Sequence, residues 1–294
     1  MIGSSGFVST LKSIVGPRCW HQSGYMSAIL EAIGGTYGEP LQLLARGVGY
    51  ALAFVVAHCA LRPLVRWTAI EPKNRGDWIN RIIASTHALV VGLPCGIALF
   101  TEPPFNSMTS TIFALQSQVD TVHGDSATLR ALLPLTLGYF LYDCCIMAID
   151  PEVYLPLMVA HHLISVAVWP ISFLSKRGMY YIIYFMATEL STPLLHLTVF
   201  FFPKHGLSDS SIFLPIAVGL LLVFFLIRVV PIPFVFLAMK ATWGFWEPAD
   251  QTIFLIWLVT IPVPPLLNSY WFYKLIMGAL KKLGPSDAEQ KKVE

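Results

Sequence analysis

Eight ionisable side chains interrupt otherwise apolar stretches of this sequence: His58, His87, Asp143, His161, His162, Glu189, His196 and Arg228, joined by the amide Asn268. An imidazole oriented by a carboxylate can shuttle a proton or act as a nucleophile. The adjacent pair His161-His162 is the sharpest feature. Neighbouring residues on a helix point about 100° apart, so the two rings cannot face one atom. One lines a cavity while the other bonds a neighbouring helix, and the sequence leaves open which does which. Glu189 is the strongest carboxylate candidate. Deep in an apolar segment it must be paired or protonated, serving as an acid or base, or holding a lipid amine or hydroxyl. The competing explanation for each group is plain interhelical hydrogen bonding, worth about 0.6–2 kcal/mol in a bilayer. On that basis His58 is expected to be structural and Arg228 to pair or snorkel. Cys144-Cys145 are expected to be small buried hydrophobes. No His-x-x-x-His or Glu-x-x-His face is present, so no metal is expected.

The elements that carry these groups follow from composition. The chain has 294 residues, 55% of them hydrophobic and 12% charged, with mean hydropathy +0.66. Soluble domains carry about 25% charged residues, so this surface is suited to lipid. The formal charge of +2 offers no electrostatic footprint for nucleic acid. Five cysteines without C-x-x-C spacing argue against a disulfide framework. An all-α polytopic membrane protein is expected, with about seven transmembrane helices.

A spanning helix needs about 20 apolar residues. Seven segments qualify: 41–65, 79–100, 129–149, 153–174, 178–202, 212–235 and 251–277. Pro262, Pro264 and Pro265 must kink or break the last, leaving six spans or a re-entrant seventh open. Lys and Arg cluster after the first span (Arg62, Arg66, Lys73, Arg75, Arg81) and in the tail (Lys274, Lys281, Lys282, Lys291, Lys292), which predicts that both are cytosolic. Lys176-Arg177 falls on the opposite side and runs against that rule. At 1.5 Å per residue, His87, Asp143, His161, His162 and Asn268 lie about 9–14 Å in from the cytosolic end. Glu189 falls near the midplane, Arg228 nearer the luminal side, and His196, at i+7 from Glu189, is expected on the same helix face. These coincident depths predict one shared polar cavity.

The organisation expected is a non-spanning segment 1–40, a first helix over 41–66, a domain over 78–277 and a cytosolic tail 278–294. The Ser-rich, acid-free start faintly resembles a transit peptide, though an ordinary flexible N-terminus is the favoured expectation. Lys291-Lys292-Val293-Glu294 has the form of a dilysine signal and points to the endoplasmic reticulum.

Several motifs together resemble the TLC-domain family, shared by ceramide synthases, translocon-associated TRAM proteins and lipid-homeostasis proteins. They are Trp78 to Arg81, Ser85 to Leu89, Gly138 to Asp143, His161-His162, Thr188-Glu189-Leu190-Ser191-Thr192-Pro193 and Phe224 to Arg228. They look most like the "TLC domain-containing" subgroup with its Glu-Leu-Ser-Thr-Pro signature. The resemblance implies six spans around a tapering, lipid-sized cavity, with the first span outside it. Ceramide synthases follow their His pair with His-Asp-x-Ser-Asp; here Glu189 stands for the first Asp and Ser191 matches, while Thr188 and Thr192 replace the His and second Asp.

The first expectation is therefore a lipid-homeostasis protein that binds a lipid or acyl chain, without a cofactor. The second is a ceramide-synthase-like N-acyltransferase with His161, His162 and Glu189 as catalytic groups and acyl-CoA as co-substrate. In either case His87, Asp143, Ser191, Thr192, His196, Arg228 and Asn268 would line the cavity. An adaptor for other membrane proteins is a distant third. Membrane lipids and a second copy of the chain are the expected partners, and nucleic acid is not.

Overall fold

A computed structural model describes residues 38–66, 70–102, 122–201, 210–243 and 251–283. Most of segment 1–40, the greater part of the 101–128 connection and the dilysine tail lie outside the described residues. Among those described, seven helical segments are long and apolar enough to cross a membrane and no strand occurs. We label the helices α1 (Gly38–Arg66), α2 (Arg75–Thr101), α3 (Ala127–Ile149), α4 (Pro156–Ser175), α5 (Met179–Ala187), α6 (Thr192–Phe200), α7 (Ser210–Phe224), α8 (Ile232–Thr242), α9 (Gln251–Thr260) and α10 (Val263–Leu283). α5–α6, α7–α8 and α9–α10 are each one span divided by an irregularity. Pro262 and Pro264 thus break the seventh span without removing it: α9 ends two residues before Pro262, and α10 resumes at Val263. Proline is tolerated in the first turn of the new helix, where its missing N–H leaves no bond unmade.

Helix contacts close a ring of six spans: α2, α3, α4, α9–α10, α7–α8, α6 and back to α2, with α1 outside it against α3 and α2. The outer position of α1 follows from its surface. Leu41, Leu44, Leu52 and Val56 are exposed, as befits a helix whose solvent is hydrocarbon on most sides. Small residues seat it on α3. A Cβ at Gly138 would fall 2.6 Å from both the Gly47 carbonyl oxygen and the Tyr50 Cβ, so the backbones approach closely only because that position is glycine. One polar contact adds to it, His58 Nδ1 to the Tyr142 hydroxyl at 2.8 Å. His58 is structural, as expected. Cys145 is exposed and Cys144 half-buried, so they are not the buried pair expected: Asp143 takes the inward position, and each next residue turns about 100° away from it.

The ring interior is filled unevenly. All nine residues of α5 are buried, whereas α6 buries only His196. α5 fills the half of the bundle nearest Gly38, packing on α2, α3 and α4. In the half nearest Arg66 the same span is only partly covered.

Candidate functional site

Proline chemistry builds the site. Pro193 has no N–H, so the Glu189 carbonyl loses its α-helical donor. The Thr192 N–H bonds the Glu189 carbonyl instead, and Thr188–Ser191 tightens into a 3-10 turn. In an unbroken α-helix the Thr192 N–H would have bonded the Thr188 carbonyl. Released, that oxygen accepts from Arg228 Nε at 3.1 Å. The partner span is irregular for a matching reason. Pro231 deprives the Ile227 carbonyl of its donor, and the Tyr184 hydroxyl donates there at 3.3 Å. Phe225–Val229 widens into a π turn, closed by Val230 N–H to the Phe225 carbonyl at 2.9 Å. Such turns are frequent at functional sites. This one holds Arg228.

Arg228 is therefore the hub of the bundle: of the two outcomes expected for it, the structure shows pairing with an acid and not snorkelling. Besides the Thr188 carbonyl, its Nε donates to Ser191 Oγ at 2.7 Å, its Nη1 to Asn268 Oδ1 at 3.2 Å and its Nη2 to Thr192 Oγ1 at 3.3 Å. Glu189 Oε1 lies 3.5 Å from Nη2, and Thr192 Oγ1 donates to Glu189 Oε2 at 2.9 Å. The guanidinium also lies over the Phe224 ring at 5.2 Å, a further favourable site for a cation. The depth assigned from the sequence counted from one span end; the hydrogen bonds place Arg228 level with Glu189, the midplane residue.

A second polar group lies closer to the Arg66 end. Asn80 Nδ2 donates to Asp143 Oδ1 at 2.8 Å, and His162 Nδ1 stands 3.2 Å from Asp143 Oδ2. The imidazole is at ion-pair distance but out of hydrogen-bond alignment. Its ring stacks on Phe140 with centroids 4.3 Å apart. The side chains of Asp143 and His162 are each only 5% exposed.

The single shared polar site expected from depth is thus divided in two. The His pair straddles the division: His162 turns to Asp143, while His161 is half-buried, meets Trp271 edge-on at 6.1 Å and lies within electrostatic reach of Glu189 and Arg228. The other two histidines join neither group directly. His87 stacks on Tyr139 at 4.0 Å and approaches Thr136 Oγ1 at 3.4 Å. His196 does not share the face of Glu189; its Nδ1 meets Ser85 Oγ at 2.9 Å on α2. The 3-10 turn explains this, because four residues wound at about 120° rather than about 100° rotate α6 by about 80°.

Asn80 and Tyr184 were missed as members of these groups. Asn80 sits within the Trp78 to Arg81 motif but carries no charge to single it out, and Tyr184 is one aromatic among many. The proline signals at Pro193 and Pro231 could have pointed to freed carbonyls. No group of three or more His, Cys, Asp or Glu side chains that could hold a metal ion occurs among the described residues.

Comparison with known proteins covers the spans that carry the site. The family model for the TLC domain matches residues 77–277, which span α2 through most of α10. The chain is similar to the TLC domain-containing protein 4-B of Danio rerio, 26% identical over 238 residues that cover 76% of this chain and 83% of that protein. It is also similar to the TLC domain-containing protein 4 of Xenopus tropicalis, 29% identical over 210 residues, 70% of this chain and 76% of that protein. No solved structure matches. With all but the outermost ends of its ring of six spans inside the matched region, the chain belongs to the TLC-domain family.

Proposed function

We propose that this integral membrane protein acts in lipid homeostasis by binding a membrane lipid between its spans, with the lipid's polar head at Glu189 and Arg228. The observation that carries the reading is the exposure asymmetry of that ion pair: the Arg228 side chain is 9% exposed and the Glu189 side chain 19%. A carboxylate left part-open at mid-bilayer is costly, and a lipid hydroxyl or amine beside it would supply the missing partners. Thr192 and Asn268 extend the polar surface, and the acyl chains would lie along the thinly covered α6 half on the Arg66 side. This reading requires no cofactor. The tail signal favours the endoplasmic reticulum, with the C-terminus cytosolic.

The test is native mass spectrometry of protein purified in a mild detergent, comparing wild type with Glu189→Gln. Gln keeps the shape but removes the charge, so the expected result is a defined co-purified lipid in wild type and loss of most of it in the variant. Equal lipid on both, or none on either, overturns the reading.

One observation favours a catalytic second reading. His161 is half-buried on the Glu189 side, while its neighbour is oriented by Asp143 and Asn80. In transfer of an acyl group from CoA to a sphingoid amine, the amine nitrogen would attack the thioester carbonyl and the C–S bond would break, with His161 taking the amine proton and returning it to the departing CoA thiolate, and Glu189 holding the amine. Labelled sphinganine and acyl-CoA incubated with wild type and His161→Ala check it; absence of labelled ceramide from wild type rejects it.

A further inference from the structure

A second site candidate lies at the opposite end of the bundle from the thin α6 half. α1 and α3 touch at Gly47 and Gly138 and separate toward Gly38, leaving a recess of about 190 Å³. Glu39, Gln42, Leu43 and Arg46 line one wall; their i, i+3, i+4, i+7 spacing is a single stripe of helix. Arg130, Pro134 and Phe173 form the other walls.

The charges are arranged in order along the membrane normal. α1 has 29 residues, about 43 Å of helix against a hydrocarbon core of about 30 Å. About 7 Å therefore projects at each end, which puts Arg46 just inside the hydrocarbon boundary and Glu39 about 10 Å further out. Arg46 makes no ion pair or hydrogen bond among the described residues, and Glu39 makes no ion pair though it lies within electrostatic reach of Arg130. Arg130 is engaged: its Nε and Nη2 donate to the two oxygens of Asp125 at 2.8 Å each, and its guanidinium lies over Phe173 at 5.4 Å. Among the described residues, the recess thus presents an unpaired cation at the boundary, an anion without an ion pair above it, and the apolar faces of Leu43, Pro134 and Phe173.

A phospholipid leaflet presents the complementary order: acyl chains, then phosphate, then the head-group amine. We propose that this recess binds the head group of a zwitterionic phospholipid, with the phosphate on Arg46 and the ammonium on Glu39. A lone phosphate would leave Glu39 repelling the ligand; an anionic lipid would do the same. The site is separate from the Glu189–Arg228 pair and does not depend on the function proposed for it.

The test uses full-length protein in nanodiscs and two photoreactive probes, phosphatidylcholine and phosphatidylglycerol, each carrying a diazirine on its head group, with labelled peptides mapped by mass spectrometry. The expected result is preferential phosphatidylcholine labelling of residues 38–47 and 127–134. Arg46→Gln is expected to lower it about tenfold, the equivalent of about 1.4 kcal/mol. Arg46→Lys, which keeps the charge, should retain most of it and so exclude loss through misfolding. Glu39→Gln should erase the preference over phosphatidylglycerol. Equal labelling by both probes in wild type, no effect of Arg46→Gln, or displacement by inorganic phosphate would each overturn the proposal.

Discussion

The two buried polar groups at the centre of the bundle use similar residue types but differ in what closes them. Asn80, Asp143 and His162 sit among Phe140 and Tyr139, with the Asp143 and His162 side chains each at 5% exposure. Glu189 and Arg228 share one ion pair, yet the carboxylate is 19% exposed. The first group comes from regular helices and is finished by aromatic rings. The second comes from two spans that prolines have unwound, so backbone carbonyls join side chains as partners. The difference teaches that regular packing yields a closed polar clamp, whereas broken helices leave donors and acceptors over. Broken helices are also where membrane proteins place polar sites, since irregular backbone must line protein or a cavity.

The comparison can be pressed hardest at Arg228. Arg228→Met removes all four of its hydrogen bonds and strands Glu189, which should cost about 3–5 kcal/mol and appear as a large fall in thermal stability in detergent. Adding Glu189→Gln to it should recover part of that loss, because the stranded charge is gone. If the single variant melts like wild type, Arg228 is not the hub described. Asp143→Ala should cost less, about 1–3 kcal/mol, since it leaves the uncharged Asn80 amide without its acceptor; its lipid retention should stay near wild type while that of Glu189→Gln falls. Reversed retention of the two variants would mean the closed group is the ligand site.

A packing change sharpens the same contrast from outside. Gly138→Ala brings a Cβ against the Gly47 carbonyl and Tyr50, which should cost about 1–3 kcal/mol and appear as a fall in melting temperature in detergent. The smallest effect is expected at Asp125, outside the spans. Burial alone pushes its carboxyl up, but the Arg130 guanidinium bonded to it holds it below the usual carboxylate range. A lowered folded value contributes stability that is present above the ordinary carboxylate pKa and is lost as pH falls through the lowered one. Asp125→Asn should therefore flatten the acid limb of a melting-temperature profile slightly, and less so at high salt.

Much of this was legible in the chain. The seven apolar segments, the inward carboxylate and imidazole residues, and the outer position of the first span all rest on composition, length and motif resemblance. What was not legible is helix phase. Counting i+7 from Glu189 placed His196 beside it, and counting depth placed Arg228 away from it. Both errors arise where the helix stops being an α-helix.

The sequence by itself determined that the chain spans the membrane, because hydrocarbon demands about 20 apolar residues per crossing and internally satisfied backbone, and it determined which ionisable residues would have to be paired. Which partner each would take was decided only in three dimensions. A 3-10 turn at Thr188–Ser191 and a π turn at Phe225–Val229 rotate side chains by tens of degrees, and that rotation set His196 on Ser85 and Arg228 on Glu189, while His162 meets Asp143 across two regular helices. Pairing is settled by the direction of a few side chains across helices far apart in sequence, and no local spacing rule carries that direction through an irregular turn.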